Sequence, residues 1–187
     1  MLALQGAFRE HLHHLGACGA EGVEVRLPEQ LVDLDALILP GGESTTLSQL
    51  IRRFGLEEPL RRWNRPLWGT CAGMILLGRE VVDGVEGQLC LGHIDLRVRR
   101  NAMGRQLESC RVELEVDGVG LMPAVFIRAP LAEPLSSEVE VLARHQGQVA
   151  AARQGTVWVT AFHPELSDDL QFHRAFLASF SPLPSLT

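Results

Sequence analysis

The sequence predicts an α/β fold with a mostly parallel central sheet, flanking helices and extra antiparallel strands. Three observations support this prediction. Short apolar runs alternate with helix-like patterns through roughly the first 80 residues, polar and apolar residues alternate strictly over 110–117, and no linker divides the chain. The 187 residues suit a single domain, which we assign to 1–180, with 181–187 as a flexible tail.

The first half of the chain alternates predicted strands with predicted helices. Ser44 is a typical N-cap residue, so the second helix is expected to begin there. Strands that alternate with helices indicate βαβ units and therefore parallel pairing. The predicted strands are residues 2–4, 23–27, 36–39 and 66–68, and the predicted helices are residues 8–18, 44–54 and 72–77.

The second half is richer in antiparallel patterns. Residues 110–117 alternate apolar with charged side chains, as in a half-buried strand. Residues 139–143 and 149–152 flank a turn-like segment, His145-Gln146-Gly147-Gln148, and so predict a hairpin. An apolar strand at 157–162 and an amphipathic helix at 168–180 are expected to complete the domain.

Charge and composition exclude several classes of partner. The formal net charge is −6 and no long basic tract occurs, which argues against nucleic acid and anionic membrane as partners. No apolar run approaches the ~20 residues of a membrane span. The first residues do not resemble a signal peptide, so we expect a cytoplasmic protein. Neither a Gly-x-Gly-x-x-Gly nor a Walker motif occurs, and we expect no cofactor.

The cysteines are expected to be reduced thiols. Cys18, Cys71, Cys90 and Cys110 form no Cys-x-x-Cys pair, which argues against zinc or a redox motif. Three of them fit small core positions. Cys71 differs because it lies in Gly69-Thr70-Cys71-Ala72-Gly73, between a predicted strand and a predicted helix. Such a turn exposes a nucleophile, and the helix N-terminus favours a thiolate. The alternative is a buried cysteine in a tight turn.

A second motif follows the last predicted strand. His163 and Glu165 lie two residues apart, and residues i and i+2 of a strand project to the same side. Glu165 would hold the His163 imidazole in one tautomer while its other nitrogen faces Cys71. A histidine near a strand end is more often structural, but together with the cysteine turn this pair predicts a hydrolytic triad.

A third motif is the glycine pair of Pro40-Gly41-Gly42-Glu43-Ser44, between a predicted strand and a helix. Paired glycines permit positive φ angles and close approach of the backbone to a ligand. Their N–H groups could stabilise a developing oxyanion. A plain strand-to-helix turn is the alternative.

These motifs resemble the glutaminase subunits of pyridoxal 5′-phosphate synthase, which are class I glutamine amidotransferases with a flavodoxin-like fold. The resemblance covers nearly the whole chain, and its segments occur in family order. They are Leu4-Gln5-Gly6-Ala7-Phe8-Arg9-Glu10-His11, Leu39-Pro40-Gly41-Gly42-Glu43-Ser44-Thr45-Thr46, Gly69-Thr70-Cys71-Ala72-Gly73-Met74, Arg100-Asn101 with Gly104-Arg105-Gln106, Phe126-Ile127-Arg128-Ala129-Pro130 and Phe162-His163-Pro164-Glu165-Leu166.

The resemblance implies a role for each matching residue. Cys71 would be the nucleophile, His163 the general base and acid, and Glu165 the residue that orients the imidazole. The N–H groups of Gly42 and Ala72 would form the oxyanion hole. L-Glutamine would be bound by Gly42, Glu43, Ser44, Arg105, Ile127 and Arg128. A guanidinium suits a substrate carboxylate, although an isolated arginine is more often a surface residue.

The resemblance also implies a partner and a form of regulation. Ammonia released from glutamine would pass through a tunnel to a synthase subunit in a hetero-oligomer. Since a free glutaminase would waste glutamine, we expect the isolated subunit to be poorly active. The peptide between Gly41 and Gly42 can flip at low steric cost, and Gln5 is placed to link that turn to the partner.

Three alternatives stay open at this point. One is another cysteine hydrolase on the same scaffold, and a second is a catalytically silent docking subunit, which an intact triad disfavours. A metal site at His11, His13 and His14 is the third, and the lack of a carboxylate-rich neighbour disfavours it. Two departures from the family, His93 and the basic pair Arg99-Arg100, bear on stability and docking more than on chemistry.

Overall fold

The computed structural model describes residues 1–100 and 109–180. Its helices are α1 (Phe8–Ala17), α2 (Ser44–Arg53), α3 (Glu57–Arg61), α4 (Ala72–Leu77) and α5 (Gln171–Ala178). Its strands are β1 (Leu37–Leu39), β2 (Leu67–Thr70), β3 (Gly78–Val81), β4 (Ile94–Arg99), β5 (Ser109–Val116), β6 (Gly120–Ile127), β7 (Leu131–Pro134), β8 (Glu140–His145), β9 (Gln148–Gln154) and β10 (Val157–Thr160). Within these ranges no helix is long and apolar enough to cross a membrane.

A five-stranded sheet in the order β1-β2-β10-β9-β8 forms the centre of the molecule. Strands β1, β2 and β10 run parallel, and β9 and β8 continue the sheet in antiparallel pairing. The carboxyl ends of the three parallel strands therefore lie at one edge of the sheet. The segments that follow them carry the glycine pair, the cysteine turn and the His163–Glu165 motif, so this edge is where a site is expected.

Two smaller sheets flank the central one. Strands β3, β4 and β7 form a three-stranded sheet, and β5 pairs with β6 in antiparallel register. The alternating pattern of 110–117 is confirmed by β5, where Leu114 and Val116 are buried and the alternating charged residues Arg111, Glu113 and Glu115 are exposed. The predicted hairpin is confirmed by β8 and β9, with positive φ angles at Gln146 and Gly147 in its turn.

Helix α5 covers the sheet with aromatic side chains. Trp68, at the middle of β2, is fully buried and packs against Phe172 and Phe176 at ring-centroid distances of 4.8 and 5.5 Å. Burying side chains of this size provides a large part of the hydrophobic driving force for folding. The helix is shorter than predicted because Asp169 Oδ1 accepts the Gln171 N–H at 2.7 Å and so forms a turn before it.

The N-terminal strands are shorter than predicted. Residues 2–4 and 23–27 make only one isolated parallel bridge, between Leu2 and Val25. Val25 is fully buried, but Val23 and Leu27 are partly exposed, so the chain leaves the sheet on both sides of this position. Leu2 N–H also donates to the Ile38 carbonyl at 2.9 Å, which attaches the bridge to β1.

The predicted N-cap of α2 is wrong by one residue. The carboxylate of Glu43 accepts the N–H groups of Thr45 and Thr46 at 3.0 and 2.7 Å, and Ser44 is the first helical residue. A carboxylate gains more than a hydroxyl at the positively polarised end of a helix, since it can accept two N–H bonds. Burial opposes the charge of Glu43, but these hydrogen bonds lower its pKa to about 2.

Candidate active site

Cys71 occupies the sharp turn between β2 and α4. Its φ of 48° and ψ of −98° are rare for a residue with a side chain, and its N–H donates to the Thr160 carbonyl of β10 at 2.7 Å. The turn requires glycine on both sides. A Cβ added to Gly73 would lie 2.2 Å from the Leu39 carbonyl oxygen, and one added to Gly69 would lie 2.5 Å from Gly73. The Gly-x-Cys-x-Gly pattern thus follows from close packing of Gly73 against β1 and of Gly69 against Gly73.

His163 and Glu165 meet beside this turn. Strand β10 ends earlier than predicted, and Glu165 lies in a 3₁₀ turn, Pro164–Leu166, rather than on a strand. The two side chains nevertheless make contact, with His163 Nδ1 at 2.7 Å from Glu165 Oε1. His163 is held in place because its N–H donates to the Val125 carbonyl at 2.8 Å.

The surroundings of His163 favour its charged form. Burial disfavours the charge, but hydrogen bonds to Cys71 and Glu165 outweigh burial and raise the pKa of His163 to about 10. The imidazole therefore carries both protons at neutral pH, with one nitrogen directed at Glu165 and a proton available toward Cys71.

The glycine pair lies against the same imidazole. A Cβ added to Gly41 would lie 2.2 Å from His163 Cε1, so no larger residue fits there. The Gly41 carbonyl accepts the Ala7 N–H at 3.0 Å. Because the C=O and N–H of a trans peptide point in opposite directions, the Gly42 N–H points away from Ala7.

Gln5 braces this turn from the N-terminal segment. Its Oε1 accepts the Glu43 N–H at 2.9 Å, and a Cβ added to Gly42 would lie 2.4 Å from the same oxygen. Gly6, with a φ of +94°, packs so closely that an added Cβ would meet the Gly41 carbonyl oxygen. The proximity expected between Gln5 and the glycine pair is thus found.

These segments surround a cavity of about 260 Å³. Cys71 is only 7% exposed, and its Sγ lies 3.9 Å from the Ile127 carbonyl. The volume of the cavity suits a molecule the size of an amino acid. The residues that line it are Gln5, Gly42, Glu43, Ser44, Cys71, Ile75, Arg100, Ile127, Arg128 and His163.

Comparison of the amino-acid sequence with known families identifies the family of this chain. Residues 1–181 match the SNO glutamine amidotransferase family. The chain belongs to this family. The relative named Pyridoxal 5'-phosphate synthase subunit PdxT of Pelotomaculum thermopropionicum is 53% identical, over 95% of this chain and 92% of that protein. The relative of the same name from Herpetosiphon aurantiacus is 52% identical, over 95% of this chain and 97% of that protein.

Solved structures agree with this assignment. A protein described as "Crystal structure of glutamine amidotransferase" superposes with a TM-score of 0.90 at 48% identity, over 95% of this chain and 96% of its own. The PurLQS structure from Thermotoga maritima, 16% identical with a TM-score of 0.62 over 94% of this chain and 94% of its own, shares the fold. The predicted family resemblance and the α/β amidotransferase fold are both confirmed.

Most of the predicted site residues of this amidotransferase come together. Gly42, Glu43, Ser44, Ile127 and Arg128 line one cavity with Cys71 and His163, while Ala72 begins α4 directly after the cysteine and Glu165 lies behind the histidine. Arg128 has a φ of 44°, a second unusual backbone conformation at the cavity. Arg105 lies outside the described residues.

Arg100 lines this cavity but was not among the site residues predicted from the sequence. Its side chain is 12% exposed, and Nη2 lies 3.2 Å from Glu43 Oε1. Its N–H donates to Asp83 Oδ1 at 2.7 Å, which fixes the backbone at the end of β4. The sequence pattern held one usable signal, the basic pair Arg99-Arg100 at a strand end. Nothing in the sequence shows whether Arg99 or Arg100 points into the cavity.

The histidines of α1 do not form a metal site. Among residues 1–100 and 109–180, no group of three or more His, Cys, Asp or Glu residues is arranged to hold a metal ion. His13 is exposed, whereas His11 and His14 are buried and both contact His173 of α5. The remaining departure, His93, is explained by a contact with the Leu60 carbonyl, 2.7 Å from Nε2.

The other cysteines are half-buried rather than core residues. Cys18, Cys90 and Cys110 are free thiols at intermediate exposure. Burial raises the pKa of both Cys18 and Cys90, so these two thiols stay protonated at neutral pH. Neither has the strand-to-helix turn and histidine partner that distinguish Cys71.

Proposed function

We propose that this amidotransferase hydrolyses L-glutamine to L-glutamate and ammonia with Cys71 as nucleophile, His163 as general acid and base, and Glu165 as the orienting carboxylate. The observation that carries the proposal is the contact of 2.7 Å between His163 Nδ1 and Glu165 Oε1, beside a cysteine that lines a cavity of about 260 Å³. A cysteine, an imidazole and a carboxylate in this order are the elements of acyl transfer.

The first half of the reaction forms a thioester. The Cys71 thiolate attacks the side-chain amide carbon, and the oxyanion that develops is stabilised by the N–H groups of Gly42 and Ala72. The Ala72 N–H is suited to this because the first N–H groups of a helix have no partner within it. His163 gives its proton to the departing nitrogen, the carbon–nitrogen bond breaks, and ammonia leaves.

The second half releases glutamate. The now neutral His163 takes a proton from water, and the hydroxide attacks the thioester carbon. The carbon–sulfur bond breaks, which returns Cys71 as a thiolate and His163 as an imidazolium. One glutamine and one water thus give one glutamate and one ammonia, and both side chains are restored.

The charged ends of glutamine match the charged residues of the cavity. Arg128 and Arg100 are candidates for the substrate α-carboxylate, with Arg105 as the further candidate implied by the resemblance. Glu43 offers a carboxylate for the α-ammonium group. Gly42, Ser44 and Ile127 would complete the substrate site with backbone and hydroxyl groups.

The names of the relatives suggest where the ammonia goes. We infer that the chain is the glutaminase subunit of a pyridoxal 5′-phosphate synthase and passes ammonia to a synthase subunit within a hetero-oligomer. We place it in the cytoplasm, with residues 1–180 as the glutaminase domain.

Cys71→Ala tests the proposed function. The variant is expected to lose ammonia release from glutamine by at least about 1,000-fold, since it lacks the nucleophile, and to keep its unfolding temperature. Assays with and without the synthase subunit distinguish a glutaminase from a silent docking subunit. A glutamine-analogue electrophile is expected to label Cys71 and to spare Cys18, Cys90 and Cys110. Near-wild-type activity in Cys71→Ala would show that the nucleophile is wrongly assigned.

A further inference from the structure

A buried imidazole lies next to the second oxygen of the proposed triad carboxylate. Glu165 uses Oε1 for the contact with His163. Its Oε2 lies 3.4 Å from His11 Nε2 of α1, and both of these side chains are fully buried. Within the described ranges, no aligned hydrogen bond to Oε2 is found. Burying a carboxylate oxygen without a hydrogen-bond donor destabilises the folded state. The His11 Nε2 next to Oε2 is therefore the group to consider as its partner.

The position of the proton on His11 decides what this ring can do. Burial, together with His173 and His163, holds the pKa of His11 well below its usual range, so the ring is neutral and carries a single N–H. With the proton on Nε2, the ring donates to Thr70 Oγ1, at 3.2 Å, and places the same N–H dipole beside Glu165 Oε2, 3.4 Å from Nε2. With the proton on Nδ1, a lone pair would face a buried carboxylate oxygen, which is electrostatically unfavourable.

His173 can pair with the same tautomer from the opposite side of the ring. His11 Nδ1 lies 2.9 Å from His173 Nε2. Burial and the nearby His14 lower the pKa of His173 to about 3, so this ring is neutral as well. A proton on His173 Nε2 leaves His11 Nδ1 as the acceptor and therefore places the His11 proton on Nε2. His14 continues the chain, with Nδ1 at 3.3 Å from His173 Nδ1.

We propose that His11 is a positioning residue of the glutaminase triad, whose Nε2–H restrains Glu165 Oε2 so that Oε1 stays on His163 Nδ1. The inference rests on the proposed function. His11 affects the reaction by restraining the Glu165 carboxylate. Without the His11 donor, this carboxylate turns away from His163 for part of the time. Turnover then falls while glutamine binding does not change, because the cavity itself is not altered.

Two variants of similar size separate this role from a general packing role. The amide nitrogen of Gln lies near the position of His Nε2, whereas that of Asn lies near Nδ1. His11→Asn is expected to lower kcat about 10- to 100-fold with KM within about twofold of wild type. His11→Gln keeps a donor toward Glu165 and is expected to restore kcat to within about threefold. His13→Asn, on the exposed side of the same helix, is the matched control.

Unfolding temperatures are measured for every variant. Equal losses of kcat in His11→Asn and His11→Gln, or wild-type kcat in His11→Asn, would overturn the proposal. If His11→Asn does not fold, ¹⁵N resonances of the histidine rings in the wild-type protein decide the matter. The proposal requires a protonated Nε2 on His11, and a protonated Nδ1 would refute it.

The same experiment keeps the two proposals apart. Wild-type protein and Cys71→Ala are assayed beside the His11 variants. An active Cys71→Ala would remove the proposed triad, and the role of His11 with it. An inactive Cys71→Ala together with a fully active His11→Asn would leave the triad in place and refute only the role of His11.

Discussion

Cys71 combines an unusual backbone conformation with the position of the proposed nucleophile. A positive φ at a residue with a side chain costs on the order of 1–3 kcal/mol, and the bond from its N–H to Thr160 helps to hold it. In this conformation the side chain lines the cavity at the end of β2. Strain and the proposed function therefore coincide at this residue.

His163 and Glu165 are expected to differ in their importance for turnover. Because Glu165 helps to raise the pKa of His163, Glu165→Gln lowers that pKa, and His163 loses its proton at a lower pH. The basic limb of kcat/KM, expected near pH 10 in the wild type, should move down by at least about one pH unit in Glu165→Gln.

The matched variant is His163→Asn, which removes the proton carrier itself. It is expected to slow turnover more than Glu165→Gln does, because the carboxylate only tunes the imidazole. Complete pH profiles of both variants check the order. Full activity in His163→Asn would point to a different base, and an unmoved basic limb in Glu165→Gln would show that Glu165 does not act on His163.

At the scale of the residue, the sequence could predict that Cys71, His163 and Glu165 lie together but not the whole cavity. Cys71 and His163 lie in short motifs whose residue types and spacing carry the chemistry. Arg100 comes from a strand end far from both motifs, and its inward direction depends on the Asp83 and Glu43 contacts. Such contacts between distant segments have no local pattern.

The turn between β1 and α2 shows how elements build the site. Gly41 lies so close to His163 that Gly41→Ala is expected to displace the imidazole and to reduce glutaminase activity at least about 100-fold. Gly16→Ala, in α1 with open space around its Cα, is the control and is expected to have wild-type activity. Activity and unfolding temperature are measured for both. A fully active Gly41→Ala would show that the imidazole can move without loss.

The elements themselves were predictable to different degrees. Helices α1, α2 and α4 were predicted within about two residues, because apolar periodicity and strand-to-helix turns mark them. The lengths of the strands at 2–4 and 23–27 were overestimated, since hydrophobicity alone does not show where a chain leaves the sheet. The cap at Glu43 was missed because its carboxylate reaches N–H groups further along the chain.

At the scale of the whole molecule, the turn at Gly41 and Gly42 also offers a means of regulation by the partner. The Gly41 carbonyl is held by a single hydrogen bond from Ala7, which contributes about 1 kcal/mol. Losing this one hydrogen bond would therefore oppose a flip of the peptide only weakly. We expect the isolated subunit to be a poor glutaminase and the synthase subunit to favour the orientation that directs the Gly42 N–H at the oxyanion.

The rate of glutamine hydrolysis with saturating synthase subunit measures this effect. A bias of ~3 kcal/mol would change the population ratio of the two orientations about 150-fold, so kcat is expected to rise by up to that factor. Gln5→Ala, which removes the oxygen that accepts the Glu43 N–H, should weaken the activation. Identical kcat values with and without the partner would refute regulation by this peptide and would leave the proposed triad unaffected.

Strand β10 lies beside β2 in the sheet, although Val157 and Leu67 pair across 90 positions of the chain. The carbonyl that holds the Cys71 turn belongs to Thr160, at the end of β10. At about 5–20 residues per second, a ribosome needs roughly 5 to 20 seconds to make that stretch. During this time β2 has an open edge and the turn at Cys71 lacks the carbonyl that holds it. If Cys71 is the nucleophile, as proposed, a nascent chain is expected to release no ammonia before almost all of the protein has been synthesised.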